Sequence, residues 1–502
     1  MSKEVENTVK TTSGDFLQEL FGFQQKLNKA VTGNNILAKL RLNNGDNIYL
    51  ICFAVYFLYT LMRTSVITLP SALIVFMNNS VPLFFIVLWM KILVFDIRDK
   101  KDFVRIIIPQ ILGMWVAVAS VTSGQFADLG IYYMMLIGAR NVDFRKIALT
   151  ALYIAVPVLV ALTLLASFGV IKDLLYIVAG TYRHSFGIIY PTDYGAHWFF
   201  AACLWFWLRK GKLRWYDICI FLALSGFLFV MCKAKTDGVC IVLLAVAGLL
   251  LNIKPVENAV FKLKWLWISS FALFALLSFA LCLTYLQWSS VWDFINTHIN
   301  FSFSLRFKFG RDALSRDPFT LFGTLVIEKG NGGDVRCPSF EEYTFIDNSY
   351  VKVYIRAGVI VFVGLIALLT RFLYKRAAAK DAAALVMMTV IAVNCVMAHH
   401  LVDFSYNVPL LMMFAYLDAP GGISEILTGK EKTIIAGIKG RRKMGTEIKK
   451  KQGSNKVSAF FDAIYKAMKS HPYLTLAFLC ACNGAFSLSK PCPICHIFCC
   501  FL

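Results

Sequence analysis

The stretch from residue 147 to 170, IALTALYIAVPVLVALTLLASFGV, carries no charged side chain along its whole length. At the helical rise of ~1.5 Å per residue it measures about 36 Å, enough to cross the ~30 Å hydrocarbon core of a bilayer. Arg145-Lys146 precede it and Lys172-Asp173 follow it, so the charges stand at its two ends. Pro157 lies inside, a residue tolerated in helices that cross lipid. This stretch reads as a transmembrane helix. Comparable runs lie on both sides of it, at 48–66, 71–95, 104–122, 124–139, 194–208, 215–232, 237–253, 264–286, 350–370, 383–400 and 404–418. Those at 124–139, 194–208 and 404–418 are short for a full crossing. The fold class expected is all-α: a polytopic integral membrane protein with about 12 transmembrane helices and one large extracytoplasmic loop.

Composition agrees with lipid as the solvent. The chain has 502 residues, 58% hydrophobic and 15% aromatic, with 16% charged and a mean hydropathy of +0.64. Soluble domains carry about a quarter charged residues. The net charge of +21 would suggest nucleic acid in a soluble chain, but here the cations sit between apolar runs, where membrane proteins concentrate them. No helix-turn-helix, zinc-finger or RNA-binding signature appears, and no nucleic-acid partner is expected. Residues 1–47 are polar, and the first apolar run arrives too late for a cleavable signal, so that run is expected to stay as an anchor.

The loop charges orient the chain. With the N-terminus inside, the short inner loops carry 18 Lys and Arg, and the short outer loops carry 5: Arg63, Lys172, Arg183, Lys233 and Lys235. That bias is the positive-inside pattern. The expected location is the cell membrane, multi-pass, with the N-terminus and basic C-terminal segment cytoplasmic. Three regions follow: a cytoplasmic segment at 1–47, a membrane domain at 48–418, and a basic tail at 419–502. Within the membrane domain, residues 287–349 form the large outer loop, mixing Trp and Phe with Arg and Lys. The tail holds Lys449-Lys450-Lys451 and six of the 14 cysteines, suited to anionic headgroups. Cys492-Pro-Ile-Cys495-His496 matches a haem-attachment pattern. Haem attachment requires the extracytoplasmic side, and the tail is placed inside, so no cofactor is expected.

Charges placed against the positive-inside bias are the informative ones. Four groups qualify. Arg183-His184-Ser-Phe-Gly187, followed by Pro191, Asp193, Gly195 and His197, precedes one span; a lone interfacial Arg that snorkels would look the same. Lys233-Ala-Lys235-Thr-Asp237-Gly238 is a tight outer turn whose charges could pair with one another. Arg306 and Arg311 lie in the large loop, which closes with Asp347-Asn348-Ser349-Tyr350; Lys352 and Arg356 then share one helical face. His399-His400-Leu-Val-Asp403, with Tyr406-Asn407 and Pro409, closes the series. Histidine titrates near neutral pH and suits a general base, with Asp403 a possible orienter. Zinc spacing of the HExxH type is missing, so no metal is expected. Arginines grip phosphate bidentately and aromatics stack on sugars, so the set suits a lipid-linked anionic substrate. No Walker motif, GxGxxG or Asp-rich metal motif supports a nucleotide donor.

Across residues 48–418 these features resemble the bacterial O-antigen and capsular polysaccharide polymerases of the Wzy type and the related O-antigen ligases. Arg183-His-Ser-Phe-Gly with Pro191 and Gly195 is similar to that family's Arg…Gly…Pro-x-x-x-Gly element. Lys235-Thr236 resembles its Ser-Arg-Thr turn, with Lys for Arg. Arg306 through Phe322-Gly323 resembles the loop element, Phe345-Ile-Asp347-Asn348-Ser-Tyr350 with Gly358 is the closest local match, and His399 or His400 with Tyr406-Asn407 resembles the closing His…Tyr-Asn-Pro. The resemblance implies a metal-independent membrane glycosyltransferase. It would polymerise undecaprenyl-diphosphate-linked repeat units into O-antigen, capsule or exopolysaccharide, alongside a flippase and a chain-length regulator. His399 or His400, Arg183 and Arg306 would be catalytic. Lys235, Arg311, Asp347, Asn348, Tyr350, Arg356 and Asn407 would bind substrate. The alternatives are ligase-type transfer of finished glycan to another acceptor, or a polysaccharide transporter or flippase.

Overall fold

The computed structural model describes residues 45–97, 100–123, 129–178, 180–285, 287, 289–294, 301–317, 320–330 and 344–417, with a few positions between 22 and 33. The basic Cys-rich tail, most of the N-terminal segment and residues 331–343 of the large loop lie outside the described residues.

The chain divides into two compact units. The first comprises Met1–Ile48, Trp89–Arg105 and Asp418–Leu502. Its described part holds a buried ion pair, Lys91 Nζ to Asp96 Oδ2 at 2.7 Å, and Gln24 donates to the carbonyl of Ile97. The second, Tyr49–Leu88 with Ile106–Leu417, contains the site.

Among the described residues, fifteen α-helices and two strands run in chain order. They are α1 (Gly45–Arg63), α2 (Ser71–Lys91, continued by a π turn to Asp96), α3 (Lys100–Thr122), α4 (Ile131–Gly138), α5 (Phe144–Ser167), β1 (Leu175–Val178), β2 (Thr181–His184), α6 (Pro191–Leu208), α7 (Trp215–Phe227, with a π turn to Cys232), α8 (Lys235–Leu250), α9 (Lys254–Lys262), α10 (Lys264–Ile268), α11 (Ser270–Thr284), α12 (Ser289–Phe294), α13 (Phe301–Arg316), α14 (Ser349–Ala378) and α15 (Ala382–Asn394). Among the described residues, five helical stretches are long and apolar enough to cross a membrane: Gly45–Arg63, Ser71–Asp96, Phe144–Ser167, Trp215–Cys232 and Ser349–Ala378. A sixth results if α8 and α9, bent by 114° at their junction, count as one span. Many apolar side chains on these helices are bare, among them Phe76, Tyr153, Leu164, Ile220 and Val230. Surfaces of that kind fit lipid and not water. The protein is a mostly helical membrane protein.

Caps set the boundaries. Asp143 accepts from Arg145 N to open α5, and Asp381 accepts from Ala384 N to open α15. Three expected spans take another form. The 124–139 run yields α4, eight residues long, and residues 124–128 lie outside the described positions. The 404–418 run is no α-helix: a 3-10 helix covers Val408–Met413. Pro409 lacks an N–H, and Asp403 turns the chain locally by accepting from Ser405 N. The 264–286 run breaks into α10 and α11 at Ser269. The pair β1–β2, antiparallel with Tyr176 opposite Arg183, is a strand element that the all-α reading did not foresee.

Candidate active site

The N-terminal ends of α6, α8 and α14 all meet the C-terminal end of α15 and the turn after it. Asn348 caps α14 by accepting from Tyr350 N and Val351 N, and its amide donates to Val396 O at 2.8 Å. Ser349 N donates to Cys395 O, the Ser349 hydroxyl to Ala398 O, and the Tyr350 hydroxyl to Ala392 O. From α8, Asp237 accepts from Asn394 Nδ2 at 3.0 Å. Helix α6 approaches α8 so closely that a Cβ at Gly195 would stand 2.7 Å from that of Ala234. The end carbonyls of α15 and the turn after it thus find their partners at the start of α14, which fixes that turn.

That turn carries His399 and His400 into a column of rings. Phe345 meets His399 edge-on at 4.8 Å; His399 and His400 lie 3.9 Å apart. Tyr406 follows at 4.0 Å from His400 and stacks on His197, again at 4.0 Å. Thr64 Oγ1 sits 2.9 Å from His197 Nε2 at the far end. His400 is buried, and no hydrogen-bond partner of its Nδ1 exists among the described residues. His399 is half-buried. The two therefore differ in access.

Asp193, in the first turn of α6, places Oδ1 3.7 Å from His400 Nε2. An acid at a helix N-terminus reads in sequence as a dipole match, which hides this second role. One ligating atom from each of Asp193, His399 and His400 lies within 4.8 Å of the others, a spread that could hold a cation. Lys352, Arg306 and Arg356 all act on His399 electrostatically, and their charge opposes a metal there. Asp403, foreseen as an orienter, accepts from Ser405 N in its own turn.

The cations sort into those that face the cluster and those that do not. Arg183 on β2 donates from Nε to Cys232 O at 3.1 Å and lies 5.5 Å over the Tyr190 ring. Arg306 on α13 bonds the carbonyl of Met397, two residues before His399, and has Nε 3.9 Å from Asp347 Oδ2. Burial pushes the Asp347 carboxyl above its ordinary range, against the pull of Arg306, Lys352 and Arg183. Arg183, Arg306, Asp347 and Asp193 also act together on Tyr190, whose hydroxyl burial pushes up. Lys352 reaches over the ring of Phe345 at 4.8 Å.

Several residues foreseen as substrate ligands serve the scaffold. Asn348, Tyr350 and Asn407 are fully buried, the first two bonded as described and Asn407 donating to Leu401 O. Arg356 is buried beside Glu328, Nη1 to Oε2 at 3.0 Å, and Lys352 shares that same oxygen at 2.8 Å. Lys235 is exposed at the first position of α8. Arg311 lies half-buried on α13 and makes no ion pair among the described residues.

Glu328 escaped the sequence reading because one carboxylate in a long polar loop carries no local signal. Removing one partner of a buried ion pair leaves an uncompensated charge. A Glu328→Ala protein is expected to lose about 3–5 kcal/mol of stability, read as a lowered melting temperature in detergent. Comparison with protein families, with characterised proteins and with solved structures finds no match to this chain.

Proposed function

We propose that the protein is a membrane glycosyltransferase that polymerises undecaprenyl-diphosphate-linked repeat units into surface polysaccharide on the outer face of the cell membrane. The carrying observation is the convergence of Arg183, Arg306 and Lys352 with His399, His400 and Asp193 at the N-terminal ends of three helices. Helix N-termini and guanidinium groups both favour anions, so a diphosphate is the group they suit. On this reading the chain crosses the membrane twelve times with the N-terminus inside. The elements at 124–139 and 404–418 make the shorter crossings. The 18-to-5 bias in loop cations then puts the site outside.

In the reaction, an acceptor hydroxyl of one lipid-linked unit attacks the anomeric carbon of another. The new C–O bond forms as the bond to diphosphate breaks, and undecaprenyl diphosphate leaves with the electron pair. Arg183 and Arg306 neutralise the charge that develops on it. His399 takes the hydroxyl proton, and the buried His400–Asp193 pair holds it in place. Phe345 lies edge-on against the base on one side and His400 against it on the other.

Arg183→Ala and Arg306→Ala proteins are each expected to leave single repeat units on the lipid carrier. A glycan gel of a strain carrying either variant reads the outcome, and a normal long-chain ladder would sink the proposal. Long chains that stay on the carrier would instead indicate ligase-type transfer.

A further inference from the structure

The β1–β2 register sorts the hairpin into two faces. Tyr176 and Arg183 are cross-strand partners on one of them; Ile177 and Tyr182 pair on the other, with Leu175 beside them. The first face packs on the protein. Tyr176 donates its hydroxyl to Ile189 O at 2.7 Å and meets the Tyr190 ring edge-on at 4.9 Å, while Arg183 reaches Cys232 O. The second face is bare except at His184, which lies opposite Leu175, pairs with Asp173 and stacks on Phe186. Leu175 is 51% exposed, Ile177 66% and Tyr182 60%.

The hairpin follows in the chain directly after the spanning helix α5, whose end is bare as well. Phe168 and Val170, just past its C-terminal end, are 79% and 68% exposed, and Leu164 and Leu165 lie exposed in its last turn. An apolar surface this large marks a partner, and its place in the chain directly after a helix of spanning length selects lipid over protein. The depth follows from the backbone. A two-stranded sheet leaves both outer edges unpaired, which the hydrocarbon core does not tolerate, so the hairpin belongs in the headgroup layer. Tyr182 and the exposed Lys172 suit that layer.

We infer that the β1–β2 hairpin is an interfacial lip whose Leu175, Ile177 and Tyr182 face rests in the outer leaflet while Arg183 on its other face receives the diphosphate of a lipid-linked substrate. The leaflet contact rests on the topology proposed above, and the delivery rests also on the proposed substrate. The headgroup layer is where such a diphosphate lies, so the lip sets Arg183 at the substrate's own depth without lifting the carrier chain from lipid.

The test uses the full-length protein in phosphatidylethanolamine–phosphatidylglycerol vesicles. An Ile177→Trp protein adds fluorescence at an exposed position. Lipids brominated near the headgroup are expected to quench the added emission more strongly than aqueous iodide does. Stronger quenching by iodide overturns the lip, whatever the enzyme does. In the second arm, Ile177→Asp is expected to raise KM about tenfold for a full-length polyprenyl diphosphate substrate, equivalent to ~1.4 kcal/mol, and to leave KM for a short-chain analogue unchanged. An equal KM on both substrates overturns delivery by the hairpin. Bromolipid quenching in a protein that forms no polymer would keep the lip and remove the proposed reaction.

Discussion

A His399→Ala protein is expected to fold and reach the membrane, yet to elongate glycan about 10²–10⁴-fold more slowly, the usual loss when a general base is removed. His399 is the more accessible of the pair; Lys352 and Arg306 act on both rings, and Arg356 on His399 as well. Its ring lies against Phe345 and His400 without locking the turn, which the bonds from Asn348 and Ser349 already hold. His400→Ala should behave differently. It would open a gap between His399 and Tyr406 and strip Asp193 of its imidazole, so both rate and melting temperature should fall. Purified protein, a lipid-linked repeat unit and a thermal unfolding curve separate the two outcomes. Wild-type elongation by His399→Ala would refute the assignment.

Gly358→Ala is expected to cost on the order of 3 kcal/mol, from a strained backbone together with a steric clash. Gly358 breaks helix α14 with φ 83° and ψ 167°, a region that residues with a side chain rarely enter. The gap is filled by residues 320–324. Val359 N donates to Thr320 O and Thr324 N to Ile355 O, each at 3.0 Å. A methyl on Gly358 would collide with Leu321 O and Gly323 N. Gly323 is the reciprocal case, with φ 92° and the carbonyl of Arg356 where its Cβ would go. Phe322 secures the crossing by stacking on Trp115 at 5.0 Å and by accepting from Thr122 Oγ1 through its carbonyl at 2.8 Å. The crossing sets the segment that bears Lys352 and Arg356, so misassembly should remove activity along with stability. Detergent-solubilised yield and melting temperature measure the effect. A Gly358→Ala protein that melts like wild type would show that the break in α14 is not required.

Much of the fold was legible because a span is a local property. The run at 147–170 appears as Phe144–Ser167, shifted by the Asp143 cap. The helical form expected of the 404–418 run did not appear, for an equally physical reason. Hydropathy measures burial, and Phe404, Tyr406, Val408, Leu410, Leu411 and Met412 are buried in protein, where non-helical backbone is tolerated as it would not be in lipid. Of the candidate site, Arg183, Arg306, Asp347, His399 and His400 were legible as charges or histidines out of place, and they do gather. Asn348, Tyr350 and Asn407 drew notice through the same motifs, and in the folded chain they hold backbone carbonyls.

Apolar run lengths and the placement of charge between them suffice for a helical membrane protein, because each depends only on neighbours in the chain. The different access of His399 and His400, the approach of Asp193 to His400 and the sharing of Glu328 by Lys352 and Arg356 depend on partners from other helices. No periodicity encodes such meetings. They exist because three helix N-termini pack onto one helix end, and burial there forces each polar group to find whatever partner the packing supplies.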